Sequence, residues 1–176
     1  FHPEFSFLPR KFKIAVSGSV EDRAATAFHD IGLYLRRTPG GELVVRVLVG
    51  GGMGRTPIVG VVIRDDLPWQ HMMTYVEAIL RVYNRYGRRD NMYKARIKIL
   101  VKALGAAAFA RQVEEEWAEV RDGPGTLTQA EFDRVAAFFT APDYASRPGD
   151  EGALARQVSS SRGFARWIER AARAHR

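Results

Sequence analysis

Apolar positions along this chain first follow a strand-like spacing and then a helical one. Residues 10–16 predict a strand entered through Leu8-Pro9, because Pro9 fixes its own φ and holds Leu8 extended. Ser17-Gly18-Ser19 breaks it. Asp22 to Phe28 predicts a short helix, and His29 to Leu35 a second strand with a polar start. Thr38-Pro39-Gly40-Gly41 is a turn. Glu42 to Val49 (ELVVRVLV) is β-branched and apolar, the pattern of a central strand. It runs into a glycine-rich stretch, Gly50 to Gly54, and Ile58 to Ile63 predicts a further strand.

The period then lengthens. Met72, Met73, Val76, Ile79, Leu80 and Tyr83 recur at helical spacing up to Gly87. Ile97, Leu100, Val101 and Leu104 mark a second helix within Lys94 to Leu104. Phe109, Val113, Trp117 and Val120 mark a third, ending near Gly123. The order is roughly βαβββααα, which predicts an α+β fold: a mixed β-sheet with helices packed on it, plus a C-terminal helical extension. Beyond Asp122 the composition changes. Gly123-Pro124-Gly125 is a linker, and Thr128-x-x-Glu131 fits a capping box for a helix through Phe139. Pro142 to Gly152 is irregular and polar. Arg162 to Ala174 predicts a short helix with Phe164, Trp167 and Ile168 inward. The expected division is a domain over 1–122 and a helical linker over 123–176.

Composition narrows the function classes. The 176 residues are 46% hydrophobic and 27% charged, as in an ordinary globular chain. No apolar run approaches the roughly 20 residues of a membrane span, and no membrane role is expected. Phe1 as first residue suggests a piece of a longer chain. The chain holds no cysteine, which excludes disulfides and thiolate ligands within it and is compatible with a cytoplasmic location. The formal charge of +7 is uneven: residues 1–105 hold 17 Lys and Arg against 9 Asp and Glu, a net of +8, and the remainder nets −1. A field of that sign attracts nucleic acid, phosphate or a cofactor with several carboxylates. The chain has 22 Arg and only five Lys, and each lysine stands out against that background.

Leu8-Pro9-Arg10-Lys11-Phe12-Lys13 places three cations in four residues. In an extended chain Lys11 and Lys13 share one face, and Arg10 and Phe12 the other. Two readings stand. Edge strands commonly carry lysine to deter aggregation, and spacing alone favours that reading. The sharper one is a pair of ammonium groups that bind a small oxyanion and deliver protons to it. The Gly50–Gly54 run lacks the ending of a P-loop and reads as a tightly turned strand exit, with close approach to a flat ligand as a rival. Arg85, Arg88, Arg89, Lys94, Arg96, Lys98 and Lys102 form a basic belt interleaved with Tyr83, Tyr86 and Tyr93. Such a belt is a solvated helix face, a nucleic-acid surface or a carboxylate clamp. The four histidines show no metal-ligand spacing. Glu114-Glu115-Glu116 reads as a solvated helical turn.

Taken together, LPRKFK (8–13), HDIGL (29–33), VGGGMGRTP (49–57), EAILRVYNRYGRRDN (77–91) and KARIKILVKALG (94–105) resemble, in order, the siroheme-dependent sulfite and nitrite reductases. The resemblance covers residues 8 to about 120, and FARWIERAARAH (164–175) is similar to the helix leading into the next module. It implies siroheme bridged to a four-iron four-sulfur cluster, and six-electron reduction of sulfite to sulfide or nitrite to ammonia. Carried over by residue, Lys11 and Lys13 would bind the anion and assist its protonation. Arg10 would contact siroheme carboxylates, and Arg96 would lie near siroheme or substrate. Nitrite-reducing members often carry Asn at the position of Lys13, so the lysine pair leans towards sulfite. The family's cluster cysteines lie downstream of this segment, so the piece by itself is expected to be inactive. The expected electron donor is ferredoxin or a flavoprotein. The rival from another class is a non-catalytic basic α+β module that binds nucleic acid.

Overall fold

The computed structural model describes residues 3–142 and 151–171. It forms two compact units, 1–138 and 139–176. In the first, four strands make one sheet in chain order: β1 (Ile14–Ser17), β2 (Ile31–Arg37), β3 (Leu43–Val49) and β4 (Val61–Pro68). β1 runs parallel to β2, with Ile14 opposite Ile31. The other pairings are antiparallel, with Ile31 opposite Val49 and Val45 opposite Leu67. The mixed sheet of the expected α+β fold is therefore present.

Three local expectations shift. β1 begins at Ile14 rather than residue 10, because the Lys13 amide donates to the Asp30 carboxylate and not to a strand neighbour (2.9 Å). β4 begins at Val61 because Gly52 and Ile58 pair first as an isolated bridge that closes the intervening loop. The helix expected over 22–28 is reduced to a single turn, Thr26–Phe28. Here the Asp22 carboxylate accepts from Thr26 N (2.8 Å), Thr26 Oγ1 (2.8 Å) and the Tyr34 hydroxyl (2.6 Å), so a side chain closes the loop in place of a helical ladder.

Alternation decides what the sheet buries. Val45, Val47 and Val49 of β3 face the helices together with Ile31, Leu33 and Leu67. Against them pack α1 (Met72–Tyr86), α2 (Ile97–Leu104) and α3 (Ala106–Val120). Tyr75, Ile79, Tyr83, Ile97, Phe109 and Val113 supply the helical side of this core and are fully buried. Each large apolar side chain so placed contributes roughly 1.5–3 kcal/mol. The acidic run of α3 is not a solvated turn as a whole. Glu114 accepts from the Tyr75 hydroxyl (2.7 Å) and pairs with Arg64 (3.0 Å), while Glu116 pairs with Arg81 and Arg85 of α1. Only Glu115 of the three is exposed.

The boundary between the units falls after Phe138, beyond the linker expected at 123. Helix α4 (Gln129–Ala136) groups with the first unit, because Phe132 meets Trp69 at 5.3 Å and Leu127 N donates to Gln70 O. Its expected cap is present: Thr128 Oγ1 accepts from Glu131 N. Among its described residues the second unit contains two α-helices, α5 (Glu151–Ser160) and α6 (Arg162–Ala171). α5 was not foreseen, and most of the irregular stretch expected over 142–152 lies outside the described residues. Phe164 and Ile168 of α6 are half-buried, whereas Trp167 is 61% exposed and not inward. A helix pair offers no deep core in which to bury an indole. Among the described residues no helix is long and apolar enough to cross a membrane.

The Asp22 carboxyl is held down at about 2, chiefly by the hydrogen bond from Tyr34 and further by those from Thr26. A carboxyl depressed in the folded state stabilises above its ordinary pKa, near 3.8, and that contribution is lost as pH falls through about 2. In an acid titration followed by NMR, Thr26 and Tyr34 should therefore shift together with a midpoint near 2, well below the exposed carboxylates.

Candidate functional site

The expected site residues meet where the 8–13 strap, the start of β2 and the start of α2 come together. The strap's alternation survives outside the regular strand. Lys11 and Lys13 are exposed, and Phe12 is half-buried against the core. Arg10 is half-buried, and its Nη1 donates to the Met92 carbonyl (2.6 Å). The two lysines thus present adjacent ammonium groups to solvent, and Arg10 leans on the single helical turn Met92–Lys94.

Three contacts hold the strap in that pose. Tyr83 is fully buried on α1, and its hydroxyl lies 2.6 Å from the Ala95 carbonyl and 3.1 Å from that of Arg10. Burial pushes this hydroxyl above its ordinary value, which keeps the proton that bridges the two segments. Pro9 sits so close to Gly87 that a β-carbon there would lie 2.7 Å from the proline ring and 2.5 Å from the Tyr83 carbonyl. Only glycine lets the α1 exit and the strap approach this closely. The last contact is Asp30, which is fully buried. Its carboxylate takes the Lys13 amide and, in a fork, Arg96 Nε (3.0 Å) and Nη2 (2.5 Å). Arg96 keeps 21% of its side chain exposed.

The glycine run explains itself from inside the chain. Gly50 has φ +79, in the left-handed region, and donates its N–H to the Asp30 carbonyl. A β-carbon on Gly51 would meet the carbonyls of Ala27 and His29 at 2.4 and 2.6 Å. The run leaves β3 in a tight turn, in which Gly51 admits neighbouring backbone, while Gly50 lies against the Val101 side chain and Gly52 against that of Lys98. Beside it, Gly50, Ile58, Val61, Val101, Lys98 and Lys102 line a cavity of about 510 Å³, and Lys98 Nζ donates to the Thr56 carbonyl. A cavity near 650 Å³ lies by Tyr34, Arg36 and Arg46, where Asp65 and Asp66 occupy both guanidinium groups.

The basic belt is not a uniform strip of cations. Arg85 pairs with Glu116, Arg88 with Asp90 and Arg96 with Asp30, while Arg89 bonds Asn84 and backbone carbonyls. Each pairing cancels charge that a phosphate backbone would need. The sequence does not single out Asp30 and Gly87 as site residues, and Tyr83 enters it only as a core position and as an aromatic of the basic belt. Asp30 carries a faint signal as an acidic residue heading an apolar strand. For Tyr83 neither reading points to the carbonyls its hydroxyl meets.

Among the described residues no group of three or more His, Asp or Glu is placed to hold a metal ion. The local donor set of Arg10, Lys11, Lys13 and Arg96 is cationic and suits an anion or a tetrapyrrole bearing carboxylates. The chain holds no cysteine and supplies no thiolate ligand to an iron–sulfur cluster. Tyr83→Phe removes the buried proton donor that joins Arg10 and Ala95. It should lower stability by about 1–2 kcal/mol in urea unfolding and speed amide exchange over residues 10–13 more than in β3.

Comparison with known proteins agrees with this architecture. Residues 1–120 match the family described as "Nitrite and sulphite reductase 4Fe-4S domain". Sulfite reductase (ferredoxin) 1 of Mycolicibacterium paratuberculosis is 33% identical over 125 residues, covering 70% of this chain and 22% of that protein. The sulfite reductase (NADPH) hemoprotein beta-component of Chromohalobacter salexigens is 33% identical over 130 residues, 69% of this chain and 22% of its own. The solved structure of the Mycobacterium tuberculosis NirA protein superposes with a TM-score of 0.61 at 28% identity, over 85% of this chain and 24% of that one. The chain therefore spans about a fifth of the length of the curated relatives it matches. On the extent of the match over residues 1–120, this chain belongs to the nitrite and sulphite reductase 4Fe-4S domain family.

Proposed function

We propose that this chain is the part of a siroheme-dependent sulfite reductase that supplies the anion-binding wall of the active site. The observation that carries the reading is the pinned strap: two exposed lysines, one residue apart, on a segment whose neighbours are locked to the core. The named relatives are sulfite reductases, with ferredoxin or NADPH in their names. Sulfite or nitrite is the substrate class, and ferredoxin or a flavoprotein the donor.

Siroheme, when bound, supplies electrons to the substrate, and the cluster that feeds it draws its cysteines from elsewhere in the protein. The work of this chain is electrostatic. Lys11 and Lys13 place two ammonium groups beside each other and lower the energy of an oxyanion held between them. Reduction of sulfite removes its oxygens as water, and each departure consumes protons. An ammonium at hydrogen-bond distance is a donor for that step. Arg10 and Arg96 stand behind the pair as partners for siroheme carboxylates, with the Arg10 Nη1 and the Arg96 fork already engaged within the chain. The nucleic-acid reading is less favoured, since carboxylates of the chain itself pair with Arg85, Arg88 and Arg96, three of the seven cations in the belt it requires.

In the reductase that carries this chain, Lys11→Ala and Lys13→Ala should each lower sulfite turnover by about 10²-fold. Visible absorption of siroheme should stay in place, and turnover at the parent level would remove the lysines from catalysis. The 176-residue chain by itself should retain no stoichiometric Soret band after purification with siroheme. A stable one-to-one band would show the wall to be a complete pocket.

A further inference from the structure

Asp30 is fully buried, and no part of the proposed chemistry uses it. It nevertheless touches every segment of the site. One carboxylate oxygen accepts from Lys13 N, and both accept from the Arg96 fork. Its own carbonyl accepts from Gly50 N, and the next amide, Ile31 N, donates to the Lys13 carbonyl. The strap, the glycine run, β2 and the cap of α2 are thus joined through one residue. The Arg96 fork is bidentate and tolerates little rotation. Lys13 N has no strand partner in this arrangement, so the carboxylate takes the amide that would extend β1 toward the strap, while the Lys13 carbonyl keeps its bond from Ile31 N. A shift of the strap by one residue would exchange the exposed and buried sets and turn the ammonium groups inward.

We infer that Asp30, locked by Arg96, is a positioning residue that sets the register of the lysine strap and thereby holds Lys11 and Lys13 as a substrate-facing pair. The inference rests on the reading of those lysines as the anion-binding pair. Asp30 is not itself a catalytic residue; it acts through the Lys13 backbone. Arg96 acquires a role besides cofactor contact, because its fork is spent on the buried carboxylate.

The test has one arm in the chain and one in the reductase. In the 176-residue chain, Asp30→Asn should raise hydrogen exchange at the Lys13 amide by about tenfold or more, while Val45 and Val47 in β3 keep their protection. In the reductase, it should raise KM for sulfite by about fivefold with a smaller change in kcat. At the Lys13 amide, Arg96→Gln should add nothing further to exchange in the Asp30→Asn background. Unchanged Lys13 exchange overturns the inference even if the lysine variants abolish turnover. Faster exchange with an unchanged sulfite KM overturns it as well, where Lys13→Ala is impaired. If Lys13→Ala is unimpaired, the anion-binding reading falls, and the inference with it. Arg96→Lys keeps a cation beside the buried carboxylate but removes the bidentate fork, and should give the same pattern with smaller shifts, so the test survives a failure of Asp30→Asn to fold.

Discussion

The buried carboxylate of Asp30 constrains the rest of the first unit more than any apolar contact does. A charged group without solvent must be paired and hydrogen-bonded or it costs several kcal/mol. Asp30 meets that demand with three donors drawn from two distant segments, Lys13 and Arg96. Satisfying it draws the N-terminal strap against β2 and anchors the first turn of α2. The apolar core supplies the bulk of the folding energy and favours the register that keeps Leu8 and Phe12 against it. The carboxylate sharpens that choice, because a hydrogen bond has a required distance and angle.

The same logic extends outward. Tyr83 reaches from the core to two carbonyls, so that the apolar packing of α1 is coupled to the position of Arg10. Gly87 lets Pro9 rest on the end of that helix. On the far side of α1, Glu116 binds Arg81 and Arg85, and Glu114 joins α3 to Tyr75 and to Arg64 of β4. The helical layer that carries the core is thereby tied to both the sheet and the strap. A segment built this way presents two exposed lysines on a pinned backbone.

Much of the fold was legible in the order of residues. The runs at Glu42–Val49, Met72–Tyr83 and Phe109–Val120 are long and strongly periodic, and each became the expected element. The errors fall where a side chain competes with the backbone. Asp22 closes a loop that composition reads as a helix, and Asp30 ends a strand that composition reads as longer. Glu114 and Glu116 look like a solvated turn because their partners lie at least 31 residues away in the chain. Trp167 looks inward because helical spacing records which residues share a face, not whether anything covers that face.

For this protein the sequence by itself determined the strand and helix alternation, the basic character of the first unit, the absence of thiolate ligands and the pairing of Lys11 with Lys13 on one side of an extended segment. Those follow from local sterics, composition and a period of two. The tertiary structure alone decided that the lysines stand exposed while Arg96 is spent on a carboxylate and Arg10 on a carbonyl, and that Gly50 takes a left-handed turn while Gly51 admits neighbouring backbone. It also decided that Asp30 joins the strap to α2. Each of these is a contact between residues far apart in the chain, where distance, burial and angle select the partner and no local pattern carries the information.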